Sequence, residues 1–236
     1  MLYALNRWDD AIIHYKKALD INPNFTEAFF NMGTAYQAQA LFEKAIESYG
    51  EALKLQPGFY EAVGNIGTIK QLQGDLDSAI KYFEKALSIN EDALGHYNLA
   101  GALRNHGNLS IAINHYKKAI EIGTNEPEFY SDLGDALWHD GQINEANQFL
   151  RLAIKINPSH SRANYQLAIY LYDNIMFEEA IKYFEASQFE DWEERILYCF
   201  YKLENFDQFE VRLKKAVTRK NASPFLATLS THYSQN

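Results

Sequence analysis

The sequence predicts an all-α fold of stacked helical hairpins, and three regularities support this. An alanine recurs at intervals of 33 or 34 residues, as Ala11, Ala45, Ala79, Ala112, Ala146 and Ala180. Five of these six alanines are followed four residues later by an aromatic residue, and five are followed seven residues later by another alanine. A proline closes three of the units at one position, as Pro23, Pro57 and Pro158. A fixed period of this length is typical of repeat proteins.

The spacing of these residues predicts the second helix of each hairpin. Positions i, i+4 and i+7 lie on one face of an α-helix. Small alanines on that face allow a neighbouring helix to approach, and the ring fills the space between them. The proline then ends the helix, because it lacks an N–H and restricts the residue before it.

A second pattern predicts the first helix of each hairpin. It reads Phe29-x-x-Met32-Gly33-x-x-Tyr36, and Gly67 and Gly134 recur at the position of Gly33. We expect the partner helix to cross at this glycine. Another series of glycines falls between the two helices, where a turn favours a positive φ; its members are Gly74, Gly107 and Gly141.

Together these motifs resemble the tetratricopeptide repeat family, whose pattern is an aromatic residue, Leu-Gly, Tyr, then Ala, an aromatic residue, Ala and Pro over 34 residues. The complete repeats are 26–59, 60–92, 93–126, 127–160 and 161–190. The resemblance implies a right-handed α-solenoid of antiparallel helix pairs, a superhelix in which the first helix of each pair lines the concave side. Ala40 and Ile175 depart from the pattern by replacing the turn glycine.

Both ends of the chain are irregular. Residues 1–25 supply a half repeat with only its second helix, and its uncovered apolar face predicts either upstream sequence or a homodimer through this segment. Residues 191–219 form a degenerate helical hairpin, whose first helix we expect Asp191 to cap, with Glu194 completing a capping-box-like start. Residues 220–236 form a C-terminal capping helix or a linker.

Composition narrows the class of function. The formal net charge is −9 and the pI is about 5.3, so we expect no nucleic-acid partner. No apolar stretch reaches the roughly 18 residues of a membrane span, so we expect no membrane insertion. The single cysteine, Cys199, suits a reducing compartment, and the sequence predicts a cytoplasmic protein.

The sequence contains no recognisable catalytic, metal or cofactor motif, such as His-Glu-x-x-His, Cys-x-x-Cys or Gly-x-x-x-x-Gly-Lys. His14 and His115 occupy one register in two repeats, which we interpret as a solvated position copied by duplication. Cys199 stands between Tyr198 and Phe200, and we interpret it as a small core residue. We therefore predict that this chain is not an enzyme and takes no cofactor.

A column of polar residues on the first helices predicts a binding groove. Its members are Asn31, Asn65, Asn98, Asp132 and Gln166. A carboxamide pairs with both polar groups of a peptide backbone without reading its side chains. The three asparagines are similar to the asparagine ladder in the superhelix of O-linked N-acetylglucosamine transferase, whereas Asp132 and Gln166 depart from it. The alternative is that these amides simply descend from repeat duplication.

Other positions on the same helices indicate the character of the partner. Glu27, Glu61 and Glu128 are acidic, while Arg104 contributes positive charge. Tyr97, Tyr165 and Tyr172 are candidate aromatic contacts. We therefore expect the partner to be an extended polypeptide that is neutral to basic.

Three functional hypotheses remain open at this point. The first is a protein–protein interaction module that binds an extended polypeptide in the concave groove. The second is the substrate-recognition arm of a larger enzyme, a glycosyltransferase or a 2-oxoglutarate oxygenase, whose catalytic domain is absent from this chain. The third is a structural subunit that self-associates through its first helix.

Overall fold

A computed structural model describes residues 7–189 and 191–217, together with Leu226. These residues form α-helices joined by short turns, and the described ranges contain no strand. The helices are α1 (Trp8–Ile21), α2 (Thr26–Ala38), α3 (Phe42–Leu55), α4 (Tyr60–Leu72), α5 (Leu76–Ile89), α6 (Ala93–Asn105), α7 (Leu109–Ile122), α8 (Pro127–His139), α9 (Ile143–Ile156), α10 (Ser161–Asp173), α11 (Phe177–Ser187), α12 (Trp192–Lys202) and α13 (Phe206–Val217).

The chain divides into two compact units, Met1–Thr124 and Asn125–Asn236. The N-terminal unit holds α1 to α7, and the C-terminal unit holds α8 to α13. Within each unit the helices pack as consecutive pairs, with α2 on α3, α4 on α5 and α6 on α7 in the first, and α8 on α9, α10 on α11 and α12 on α13 in the second. The short connections make the helices of a pair antiparallel. None of the helices in the described ranges is long and apolar enough to cross a membrane.

The turn inside each pair contains a residue with a left-handed backbone conformation. This confirms the positive φ that we predicted for the turn glycines. Gly74, Gly107 and Gly141 have φ values of +80°, +95° and +81°. Ala40 and Ile175 adopt φ values of 56° and 63° at the equivalent positions. The two turns without glycine therefore keep the same geometry. They do so with residues whose side chains disfavour the left-handed backbone conformation.

The core of the N-terminal unit includes the repeated small and aromatic residues. Ala45, Tyr49 and Ala52, on α3, have no exposed surface. A Cβ atom placed on Gly33 of α2 would lie 2.7 Å from Cδ1 and Cε1 of the Tyr49 ring. The prediction that the partner helix crosses at this glycine is therefore confirmed, because no larger residue fits beneath the ring.

The C-terminal unit also buries aliphatic and aromatic side chains. Leu167, Leu171 and Phe184 form one cluster with Ile196. A second cluster joins Leu197 and residues of α13 to Leu226, which is helical and buried. Apart from Leu226, the predicted segment 220–236 lies outside the described residues, as do residues 1–6 of the predicted half repeat.

Cys199 lies in the core between α10, α11 and α12, and has no exposed surface. Burial raises the pKa of its thiol to about 12, and nearby Arg195 only partly opposes this effect. The thiol is therefore protonated at neutral pH, which suits a packing residue and not a nucleophile.

Candidate functional site

The predicted polar column occupies one structural position. Asn31, Asn65 and Asn98 are the sixth residues of α2, α4 and α6, and Asp132 and Gln166 are the sixth residues of α8 and α10. All five side chains are half-buried. We call the face of α2, α4 and α6 that carries the three asparagines the N-terminal groove.

A cavity of ≈ 270 Å³ opens in the N-terminal groove. The structure brings three of the predicted site residues, Glu61, Asn65 and Asn98, to its lining. The other lining residues come from α2, α4, α5, α6 and the turn before α6, and are Phe30, Tyr60, Gly64, Phe83, Ala86, Leu87, Asn90, Asp92, Leu94 and Gly95. The cavity thus combines apolar walls with two amides from the column.

Asn65 is held in place by the buried tyrosine of the preceding pair. Its Nδ2 donates to the Tyr49 hydroxyl at 3.1 Å. That hydroxyl also lies 2.8 Å from Oε1 of Gln37 and 3.3 Å from Oγ1 of Thr34. Since a carboxamide carries two N–H groups and a carbonyl, this bond orients the amide while one N–H and the carbonyl remain for a ligand.

Asn98 has no such anchor. Within the described part of the chain its side chain makes no hydrogen bond, although it lines the same cavity. Both its donors and its acceptor are therefore available to a ligand.

The C-terminal members of the column are engaged within the protein. Asp132 accepts a hydrogen bond from Nη1 of Arg162 at 2.6 Å. Gln166 donates through Nε2 to Asp135, and its Oε1 is buried with no hydrogen-bond partner among the described residues. Asp132 and Gln166 are thus paired with charged residues outside the column, Arg162 and Asp135.

Tyr165 and Tyr172 take part in the packing of α10, α11 and α12. The Tyr165 ring stacks on Phe189 with centroids 4.6 Å apart, and its hydroxyl donates to Asp191 at 2.8 Å. The Tyr172 ring lies 5.4 Å from Tyr198, and the Arg195 guanidinium lies 5.8 Å from the Tyr172 centroid. Burial raises the pKa of both tyrosines. Both remain half-buried, so packing limits the surface that they offer a ligand.

The contacts of Tyr165 also explain a wrong prediction. Asp191 stands before α12, where we expected its side chain to cap the helix, yet it makes no capping hydrogen bond. Its carboxylate instead accepts from the Tyr165 hydroxyl and, at 2.6 Å, from Nε of Arg195. Asp191 therefore bonds to a tyrosine and an arginine side chain, and not to a backbone N–H in the first turn of α12.

The remaining predicted residues are spread over both units. Glu27 and Glu128 are exposed, and Glu128 lies 3.7 Å from Nε2 of His160. Tyr97 is half-buried and packs edge-on against Tyr116 at 5.7 Å, while Arg104 is half-buried at the end of α6. The cavity includes none of these four residues.

The interpretation of His115 as a solvated position is wrong. Its Nδ1 lies 2.8 Å from Nδ1 of His96, and the two rings stack at 5.1 Å. Nε2 of His96 lies 3.2 Å from a Glu91 oxygen. His14 is exposed, so the two copies of the motif have different surroundings. Sequence reasoning missed the pair because its members lie on different helices, 19 residues apart.

The pair predicts a pH dependence of stability. Burial lowers the pKa of His115 below its usual value of 6.5; His96 lowers it further and Glu84 partly opposes this. Since the folded chain disfavours protonated His115, the unfolded chain binds more protons as pH falls from about 6.5 towards the lowered pKa. The free energy of unfolding should therefore decrease over this window, and urea titrations of His115→Gln should show a smaller decrease.

His14→Gln is the matched control, because the same five-residue motif surrounds an exposed histidine. It should follow the unmodified protein across the window. Equal pH dependence for the unmodified protein and His115→Gln would contradict the role given to the histidine pair.

Family models place the chain in the tetratricopeptide repeat family. Models described as "TPR repeat" and "Tetratricopeptide repeat" match residues 1–39, 26–59 and 60–125. A model described as "YpiA-like, C-terminal tetratricopeptide repeats" matches residues 94–160. The chain belongs to this family, and its fold class is that of the family's α-solenoids.

Solved structures agree in fold. The C-terminal part of a TPR repeat-containing protein from Cytophaga hutchinsonii is 15% identical, with 96% of each chain covered and a TM-score of 0.75. PilF from Pseudomonas aeruginosa is 17% identical, with 88% of this chain and 97% of that chain covered and a TM-score of 0.72. YrrB, described as a TPR protein with an unusual peptide-binding site, is 20% identical over 80% of this chain and 97% of that one, with a TM-score of 0.61. No curated protein matched significantly.

Proposed function

We propose that this chain is a protein-interaction module that binds an extended polypeptide along the N-terminal groove. Its side-chain amides hold the backbone of the partner. The observation that carries this proposal is the cavity lined by Asn65 and Asn98, two members of one column on neighbouring first helices.

The dimensions of an extended chain support this role. Packed helices lie about 8–10 Å apart, and an extended peptide rises about 3.3 Å per residue. One amide per repeat therefore meets about every third residue of the peptide. Each amide offers both a donor and an acceptor, so the contacts need not depend on the peptide's side chains.

The family provides further support, because a similar fold in YrrB is described as carrying a peptide-binding site. We confine backbone binding by amides to the N-terminal unit, because Asp132 and Gln166 are paired within the protein. The proposed role is binding without chemistry on the partner, in the cytoplasm.

The test is selection from a phage-displayed library of random linear dodecapeptides, followed by titration calorimetry with the synthetic peptides. The Asn65→Ala/Asn98→Ala variant should bind the selected peptides about tenfold more weakly or worse, since two hydrogen bonds of about 0.5–1.5 kcal/mol each are lost. Circular dichroism should show unchanged helix content.

Asn114→Ala is the matched control. Asn114 is an exposed asparagine of α7 in the same unit and does not line the cavity, so its removal should leave affinity unchanged. Asn98→Ala alone is a second control for folding, because no hydrogen bond within the described part of the chain depends on it. Enrichment of no peptide, or equal affinity for the double variant, would overturn the proposal.

A further inference from the structure

The cavity of the N-terminal groove has an uneven distribution of charge. Glu61 and Asp92 line it, and none of the residues that line it is a lysine or an arginine. Within the described part of the chain, neither carboxylate forms an ion pair with a basic side chain. The cavity therefore offers two carboxylates that have no basic side-chain partner among the described residues.

Asp92 is fixed in orientation. Its Oδ1 accepts from the backbone N–H of Gly95 at 2.6 Å, and its Oδ2 accepts from Nδ2 of Asn90 at 3.3 Å. The bond from Gly95 caps the start of α6, and the two bonds together orient the carboxylate, which lines the cavity. Burial raises the pKa of the Tyr60 hydroxyl, and the charge of Glu61, a hydrogen bond to Glu61 and the charge of Asp92 raise it further.

The cavity also has apolar walls beside these polar groups. Phe83 and Leu87 of α5 and Phe30 of α2 contribute hydrophobic surface, and Leu94 of α6 is 58% exposed. The volume of ≈ 270 Å³ lies just below the range of about 300–1,000 Å³ that is usual for small-molecule sites. It is therefore suited to one long side chain of a larger ligand.

We propose that the cavity takes an arginine or lysine side chain of the bound polypeptide. The aliphatic stem packs on the apolar walls, and the charged group meets Glu61 and Asp92. An acidic side chain would meet two like charges, and an apolar one would cover two carboxylates without compensating them. This assignment rests on the proposed function, since it names the side chain that the groove selects.

The test uses the peptides selected from the random library. They should share an arginine or lysine at one position. Replacing that arginine by citrulline keeps the length of the side chain and removes its charge. Replacing that lysine by norleucine keeps the four-carbon stem and removes the charged ammonium group. Affinity for the unmodified protein should fall about tenfold or more.

The same pair of charged and neutral peptides is then measured on the Glu61→Gln/Asp92→Asn variant, which lacks both carboxylates. Asparagine caps helices about as well as aspartate, so α6 should keep its start. This variant should bind the charged and the neutral peptide nearly equally. Gly64→Leu should block both peptides, because a Cβ at Gly64, which lines the cavity, would have no atom within 4 Å and the helix would accept leucine.

The outcomes separate the two proposals. Peptides that require Asn65 and Asn98 but carry no basic residue, or tolerate its neutral replacement, would overturn the basic-side-chain assignment and leave the groove standing. Selection that yields no peptide dependent on the two asparagines would overturn both. Loss of discrimination by Glu61→Gln/Asp92→Asn, with circular dichroism unchanged, supports the assignment.

Discussion

Replacing Gly33 with alanine should lower the free energy of unfolding by about 1–3 kcal/mol, the usual cost of overpacking a core. The new Cβ would lie 2.7 Å from two ring carbons of Tyr49, which has no exposed surface. The ring cannot easily move aside, because Gln37 and Asn65 hold its hydroxyl. Urea unfolding followed by circular dichroism measures the effect.

Gly50→Ala is the matched control for this prediction. Gly50 lies next to Tyr49 in α3, and a Cβ there would meet no atom within 4 Å. The free energy of unfolding of this variant should rise by about 0.5–1 kcal/mol, because alanine loses less backbone entropy than glycine when the helix forms. Equal stability of Gly33→Ala and Gly50→Ala would contradict the close approach of α2 and α3.

Replacing Leu150 with alanine should lower the free energy of unfolding of the C-terminal unit by about 2–5 kcal/mol. The side chain is fully buried, and its removal leaves a cavity. A Cβ on Gly134 would lie 2.9 Å from Cγ and Cδ2 of this leucine. Those atoms are absent in Leu150→Ala. Adding Gly134→Ala should therefore recover part of the loss by filling the space.

A double-mutant cycle measures this recovery. In the unmodified protein Gly134→Ala should destabilise, whereas in Leu150→Ala it should stabilise, so that the coupling exceeds about 0.5 kcal/mol. The carbonyl oxygen of Ala146 would lie 3.2 Å from the added Cβ, which limits the gain. Additive effects would show that α8 and α9 do not meet at this glycine.

Much of this fold follows from local pattern. The i, i+4, i+7 series places Ala45, Tyr49 and Ala52 on one face, and all three are fully buried. The glycines predicted at turns have positive φ, and those predicted at crossings have no room for a Cβ. Helix periodicity determines which face of a helix is covered, so a repeating sequence allows these features to be predicted.

The contacts between repeats could not be predicted in the same way. Periodicity does not determine which side chain of the next helix a polar group meets, or whether it binds locally. Asp191 therefore pairs with Tyr165 and Arg195 in place of capping α12, and His115 pairs with His96. The hydrogen bond from Asn65 to Tyr49 could not be predicted for the same reason, since the two residues are 16 positions apart.

The predicted groove residues were also chosen without knowledge of the contacts between repeats. The column of sixth positions was visible in the sequence, yet only its members Asn65 and Asn98 share the cavity, while Asp132 and Gln166 are paired internally. Asp92 and Tyr60 of the cavity were not among the predicted site residues. Asp92 stands just before α6, and its capping role gave no sequence signal that it also faces a cavity.

The most direct test of the central claim is a crystal structure of the protein bound to the tightest dodecapeptide from the selection. We expect an extended peptide across α4 and α6, with its backbone N–H and C=O groups about 2.7–3.2 Å from the side-chain amides of Asn65 and Asn98. A peptide bound elsewhere on the protein, or in the groove without contact to either amide, would contradict the claim.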